Sequence, residues 1–329
     1  MRHSGPRICF VGSDENQPAR RWFLYPSHVL PNSISCDINA AQAGEEPDAD
    51  IYVVQICWRM PPAARWQALG KRVFYWLDDA IWMVPIPTEA SSYWERLWPF
   101  WLEILKTSDG IITPSVELSG RLADEFGLNT MTVKNYHDYP PFSHSEEWTY
   151  EKLMTGYGGS AYHWTSWRDT ELADKLLEVK DDVECHIIGN AIVSQMLRDR
   201  GLDVMSWPVQ DWRGYLGMIA RWDMGLIPVS GPYDMCRSWI KALEYALCGT
   251  PWIAYGAGSL IYSDVEGGVC VAQGEELKDY LHRARPEERR YMQGWAESQH
   301  VRYHVNEWLA AFESLVRSGT EKRNHRRVG

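Results

Sequence analysis

No stretch of this 329-residue chain approaches the roughly 18 uninterrupted apolar residues that a membrane span requires. No secretory leader is expected from the pattern of the first residues. Residues 1–6 are polar, and the run Ile8-Cys9-Phe10-Val11 is too short for a signal core and stops at Gly12. The expected location is a cytoplasm, that of a host if the chain is phage-encoded. Cysteine pairs with metal-binding or redox spacing are absent. The seven cysteines (9, 36, 57, 185, 236, 248 and 270) are scattered, odd in number, and in several cases embedded in apolar runs. Reduced, buried thiols are expected, with neither a disulfide framework nor structural zinc. Positive charge is scarce as well. Thirty-three Lys and Arg against 44 Asp and Glu give a formal charge of −11, which argues against broad adhesion to nucleic acid. The basic end carrying Lys322, Arg323, Arg326 and Arg327 has no apolar partners and reads as a solvated, disordered tail.

An apolar content of 45% and this length suit a globular protein of two domains of roughly 150 residues each. The eighteen tryptophans should pack mainly in cores, although aromatic faces also stack on sugars and bases. Short apolar runs alternate with helical patterns along both halves, the signature of βα units over a parallel sheet. In the first half, strands are expected at 7–11, 50–56, 72–77, 110–113 and 130–134, with helices near 20–30, 65–69, 93–106 and 115–126. Residues 138–148 carry Pro140, Pro141, Ser143 and Ser145 with little periodicity and read as a linker. The alternation then restarts, with strands at 152–155, 184–188, 204–207, 222–228 and 252–255. Helices follow at 167–178, 191–200, 211–220, 238–247, 275–283 and 286–315. The expected architecture is α/β, with two Rossmann-like domains facing across a central cleft, where open parallel sheets bind ligands. Its parts are residues 1–145, residues 146–300, a helix at 301–318 that returns to the first domain, and the tail at 319–329.

Four groups of residues have the chemistry for a site there. Thr155-Gly-Tyr-Gly-Gly-Ser160 follows a strand, and its Gly158, Gly159 and Ser160 offer a close backbone approach to phosphate. A tight turn without a ligand explains the same residues. His163, Arg168 and Asp169 crowd the next helix, where Arg168 either neutralises a diphosphate or pairs with Asp169 or Glu171 on the surface. In the run from Asp234 to Pro251, a helix near Ser238 would bring Lys241 and Glu244 to one face one turn apart. Its amino end favours phosphate, with Ser238 as cap or contact, Lys241 as countercharge and Glu244 as acceptor from a ribose. An amphipathic helix with a surface Lys–Glu pair fits equally well. Asp78-Asp79 ends an apolar strand. One of the two carboxylates would face the cleft, where it could orient an acceptor, serve as base or hold a metal; a helix cap or a paired structural aspartate explains the same residues. Gly12 and Ser13, with Arg20 and Arg21 beyond them, form a fourth group that a plain loop explains more simply.

In this order the segments RVFYWLDDAIW, SDGIITPSVELSGRL, TVKNYHD, WDMGLIPV and SWIKALEYALCGTPWIAY resemble the GT-B glycosyltransferases, specifically the retaining, glycogen-synthase-like family four. The resemblance spans nearly the whole chain. It implies transfer of a sugar from a nucleoside-diphosphate sugar, probing the donor from the second domain and the acceptor from the first, without an essential metal or other cofactor. It implies donor contacts at Gly158, Gly159, Ser160, Arg168, Asp234, Ser238, Lys241 and Glu244. Asp79 or Asp78 would act near the acceptor, with Gly12, Ser13 and Arg20 on the same side. Glu244 matches the second glutamate of the family's E-x7-E pattern. The first glutamate falls on Cys236, with Asp234 as a nearby substitute. An epimerase of the same fold and a non-catalytic nucleotide- or carbohydrate-binding relative are the alternatives. The acceptor is left open among a modified DNA base, a protein, a glycan and a small molecule.

Overall fold

The computed structural model describes residues 5–12, 23–56, 61–85, 89–139, 152–160, 163–281 and 286–328. Two six-stranded parallel sheets organise them. The first contains β1 (Ile8–Gly12), β2 (Ser33–Asp37), β3 (Ile51–Gln55), β4 (Arg72–Trp76), β5 (Gly110–Thr113) and β6 (Thr130–Thr132), in the order β2-β1-β3-β4-β5-β6. The second contains β7 (Leu153–Gly158), β8 (Val183–Ile188), β9 (Val204–Trp207), β10 (Met224–Pro228), β11 (Trp252–Tyr255) and β12 (Gly268–Val271), in the order β12-β11-β10-β7-β8-β9. Central strands such as IYVVQ and MGLIP are buried along their whole length, because helices cover both faces of each sheet.

Strand order reverses once in each sheet. In the first, β1 lies between β2 and β3, which opens a crevice at Gly12 and Gln55. In the second, β7 lies between β8 and β10, so the crevice opens at Gly158 and Pro228. Such switch points are where open α/β sheets bind ligands. Helix starts are fixed by side-chain caps. Ser115 caps Val116–Phe126, Asn190 caps Ala191–Asp199 and Asp211 caps Trp212–Ile219, each accepting from a backbone amide of the first turn. Gly127, at a φ of 65°, ends the first of these as a left-handed C-cap.

Several expected elements differ. β2 and β12 are additional strands. Both are edges, and SISCD lacks the apolar run that marks a buried strand. The helix near 20–30 reduces to Phe23 and Leu24 followed by Pro26–Val29, with residues 13–22 outside the described set. Most of the linker, from residue 140 onward, is also outside it. The region 286–315 divides into Pro286–Ser298, a 3-10 turn at Val301–Tyr303, and Val305–Val328. That last helix runs through the segment expected to be a disordered tail. The tail sequence is polar, but Glu321, Lys322, Arg323, Arg326 and Arg327 make half of residues 319–328 good helix formers. The six cysteines among the described residues are free thiols.

The chain crosses between the sheets twice, and the crossings are tied together. His137 N donates to Gln299 O at 3.3 Å and Val301 N donates to His137 O at 2.7 Å, a short parallel bridge. Beyond it the Val305–Val328 helix returns to the first sheet. Trp308 stacks on Trp76 at 5.3 Å and meets Phe10 edge-on at 5.7 Å, and Phe312 packs against Phe74 at 6.0 Å. A side chain at Gly110 would come within 2.8 Å of Leu315, so this glycine lets the helix approach β5 closely. Trp308→Ala should destabilise the protein by about 3–5 kcal/mol, the usual cost of emptying a large aromatic site. Urea unfolding measures this; a loss below about 1 kcal/mol would mean that the returning helix does not hold the first domain.

Candidate functional site

The second switch point is built by glycines and aromatic rings. β7 runs three residues further than expected, so Gly156 and Gly158 belong to the strand. A Cβ on Gly156 would lie 2.0 Å from the Trp222 ring, and one on Gly158 would lie 2.4 Å from Tyr215. A Cβ on Gly159 would lie 2.4 Å from the Tyr157 hydroxyl. These glycines therefore seat buried rings against the backbone and leave the strand end uncovered by side chains of its own. Gly159 is half-buried and Ser160 exposed. Gly256 crosses the same end of the sheet at a φ of 123°, where a Cβ would strike Val229 O at 2.4 Å.

The helix Ile240–Leu247 approaches this strand end, with every residue from Lys241 to Leu247 buried. Lys241 and Glu244, at 7% and 5% exposure, are therefore interior groups and not a surface pair. Lys241 Nζ donates to the carbonyl of Gly158 and sits 4.8 Å above the Tyr157 ring. Burial, reinforced by the Arg237 charge, pulls the lysine down to about 8. Glu244 accepts from the Tyr215 hydroxyl at 3.0 Å, and Tyr215 is the ring that packs on Gly158. Ser238 lies two residues ahead of the helix. Its hydroxyl accepts from Asn135 Nδ2 at 3.0 Å and from Ile240 N at 3.4 Å.

Arg237 is the charged group that sequence reasoning missed. It forms a buried ion pair with Asp234 at 3.1 Å. Asp234 Oδ1 also accepts from Ser166 Oγ at 2.8 Å, and its Oδ2 accepts from Ser230 N and Oγ at 2.8 and 2.9 Å. The aspartate is thus committed to holding Arg237 and the Ser230 turn after β10. Local spacing held no signal for this role, which depends on Asp234 and the Ser230 turn being folded beside Arg237.

The remaining expected residues are dispersed around this core. Arg168 is exposed, pairs with Asp169 at 2.8 Å and lies 4.8 Å over the Trp164 ring. His163 is buried, and burial with the Arg237 and Lys241 charges holds its pKa well below the usual imidazole value. Cys236 is fully buried in the hydrophobic cluster of the first sheet, and its thiol is pushed up to about 12 by burial. Asp78 and Asp79 are half-buried at the end of β4, and the Asp79 charge acts on Tyr262 of the second domain. Gly12 ends β1 at the first switch point, whereas Ser13 and Arg20 lie outside the described residues. A groove of about 530 Å³, lined by His137, Tyr139, Arg302 and Tyr303 among others, lies at the two chain crossings and not at the strand ends.

Removing one partner of the Asp234–Arg237 pair leaves a buried charge without compensation. Arg237→Ala should therefore cost about 3–5 kcal/mol of stability by chemical denaturation, and Asp234→Asn/Arg237→Met together should cost less than the single change. Equal or greater loss in the double variant would show that the pair is not a self-contained unit.

No protein-family profile and no curated protein matches this chain. Solved structures do share its architecture. HepE from Anabaena, in complex with UDP and glucose, superposes with a TM-score of 0.64 over 94% of this chain and 100% of its own, at 12% identity. An α-glucosyltransferase in complex with UDP and a 13-mer DNA containing an HMU base gives 0.59 over 95% and 100%, also at 12% identity. TarM from S. aureus gives 0.53 over 81% of this chain at 13% identity, and the chain spans 54% of TarM's length. The shared architecture is the GT-B fold, two Rossmann-like domains facing across a cleft.

Proposed function

We propose that this chain is a glycosyltransferase that moves a sugar from a nucleoside-diphosphate sugar to an acceptor held in the cleft. The observation that carries the reading is the contact of Lys241 with Gly158. It joins a buried ammonium, the start of a helix and a glycine strand end, packed by Tyr215, at the switch point of the second sheet. A departing nucleoside diphosphate needs fixed positive charge and hydrogen-bond donors in a site of low dielectric. Lys241 and Arg237 supply the charge and Ser238 and Ser160 supply polar contacts, while Gly158 and Gly159, whose carbonyl and amide are taken by Lys241 and Ile188, line the approach without side chains of their own. Arg168 and Asp234 belong to the outer part of this donor set, Arg168 by its charge and Asp234 by holding Arg237. Glu244, steadied by Tyr215, takes the ribose hydroxyls.

On the opposite side, Asp79 or Asp78 acts near the acceptor, with Gly12 at the end of β1; Ser13 and Arg20, the other residues expected on that side, lie outside the described residues. The transfer proceeds with retention, the incoming hydroxyl attacking from the face that the phosphate leaves. No covalent nucleophile, resident metal or other cofactor is assigned a part in it. UDP is the first donor base to examine, because HepE and the α-glucosyltransferase are both described with UDP. Among the described residues no helix is long and apolar enough to cross a membrane, which fits the proposed cytoplasmic setting without membrane insertion. The acceptor class stays open among a DNA base, a protein, a glycan and a small molecule.

Thermal-shift measurement across UDP-, GDP-, ADP- and dTDP-sugars tests the reading, since a ligand of the folded state raises Tm by mass action. One base should stabilise the wild type, and Lys241→Met should abolish that shift. No stabilisation by any of them would contradict the proposal.

The lysine also sets a pH dependence. Affinity for the bound nucleotide should fall by up to about ten-fold per pH unit above pH 8, as the ammonium loses its proton, and Lys241→Met should remove this slope. In the unliganded protein the sign reverses. The folded state holds the lysine below its ordinary value of 10.5, so raising the pH from about 8 to 10.5 relieves an unfavourable charge and adds stability. Isothermal titration for binding and urea unfolding for stability check the two slopes. A non-catalytic nucleotide-binding relative is the second reading, favoured by Cys236, a buried thiol where the family pattern has a glutamate. Slow hydrolysis of the stabilising donor by purified protein identifies a catalyst, and an isomerised donor sugar identifies an epimerase.

A further inference from the structure

Asn135 follows β6 at the carboxyl end of the first sheet and is 3% exposed. Its Nδ2 donates to Ser238 Oγ at 3.0 Å, and its backbone carbonyl accepts from Trp239 Nε1 at 2.8 Å. The first domain therefore grips two consecutive residues at the start of the helix that carries Lys241. A serine hydroxyl has two acceptor lone pairs and one proton. Asn135 Nδ2 and Ile240 N both donate to Ser238 Oγ, and among the described residues its proton is given to no acceptor. That polarity leaves Ser238 a donor toward any ligand, which suits a phosphate oxygen.

The other end of the amide bears on the same point. Asn135 Oδ1 is buried without a hydrogen-bond partner. Reversing the amide would place Oδ1 on Ser238, consume the serine proton and bury Nδ2 instead. The two arrangements each leave one end of the amide unsatisfied, and they differ in what Ser238 offers a ligand.

We propose that Asn135 is a positioning residue for the donor diphosphate. Reaching across from the first domain, it fixes Ser238 as a hydrogen-bond donor to a phosphate oxygen. The proposal rests on the donor reading above and deepens it, since it makes donor affinity depend on a residue of the acceptor-side domain.

Five variants of the full chain test it: Asn135→Ala, Asn135→Asp, Ser238→Ala, and each of the two asparagine changes combined with Ser238→Ala. Affinities for UDP, GDP, ADP and dTDP are measured by isothermal titration at pH 7, with urea unfolding alongside. Asn135→Asp keeps the size of the side chain and a bond to Ser238, but its carboxylate takes the serine proton. The Kd of the nucleotide that binds wild type should rise about ten-fold more in Asn135→Asp than in Asn135→Ala, although the aspartate variant is the more stable of the two. A merely structural role gives the opposite order, with the isosteric variant milder in both measurements. In the Ser238→Ala background the excess penalty of aspartate should shrink; an unchanged penalty would mean simple charge repulsion and overturn the proposal. If Asn135→Asp does not fold, the cycle of Asn135→Ala with Ser238→Ala decides. The asparagine effect on Kd should vanish once the serine hydroxyl is gone, and an effect that persists overturns the proposal. Failure of the wild type to bind any of the four nucleotides overturns the donor reading and this one with it.

Discussion

A buried ammonium bonded to a backbone carbonyl is the constraint around which the second domain is arranged. Lys241 loses its water and gains Gly158 O and the face of Tyr157. These partners offset only part of the desolvation, and the lowered pKa expresses the remainder. The surroundings are consistent with a cation held in reserve for an anion. Arg237 lies close enough to depress the lysine further, and its own charge is balanced by Asp234. Glu244, the carboxylate one turn along, is hydrogen-bonded to Tyr215. Lys241 is tied to the end of β7, Glu244 to the helix Trp212–Ile219 and Arg237 to the short helix Pro232–Met235, so the cluster also fixes how the helix meets the sheet.

The two domains are joined by more than a linker. Asn135 bonds to Ser238 and Trp239, His137 pairs with the segment at His300, and Trp308 with Phe312 closes over the first sheet. All three contacts come from segments adjoining a chain crossing. The consequence is a cleft whose two walls are coupled through short polar contacts at the start of the Ile240–Leu247 helix and through aromatic packing on the first sheet. Cys236, at the position where the family pattern has glutamate, lies in the hydrophobic cluster of the first sheet and strengthens that joint.

Much of the fold was legible because fully buried parallel strands are nearly continuous apolar runs and capped helices carry Ser, Asn or Asp at their starts. β3, β4, β5, β8, β10 and β11 follow from that signal alone. Of the four edge strands, β6 and β9 were legible, whereas β2 and β12 were not. β2 reads SISCD, and an edge strand half-covered by neighbours needs neither alternation nor a long apolar run. The extent of β7 was hidden for a different reason. Gly156 and Gly158 suggest a turn by propensity, whereas tertiary packing of Trp222 and Tyr215 requires glycine inside the strand. At the site, spacing correctly put Lys241 and Glu244 on one helix, but it could not show that the helix is buried. Arg237 was invisible because its role depends on Asp234 and on the turn at Ser230, contacts that local spacing does not encode.

The central claim is that Lys241 is a poised cation that a diphosphate recruits. Its titration, followed by NMR through the ¹³Cε resonance of the lysine with and without saturating UDP, addresses that claim directly. The account expects a midpoint near 8 in the free protein and a rise of at least about one pH unit when UDP is bound, since a phosphate oxygen stabilises the charged form. A midpoint that is the same in both states, under conditions where UDP is bound, would contradict it.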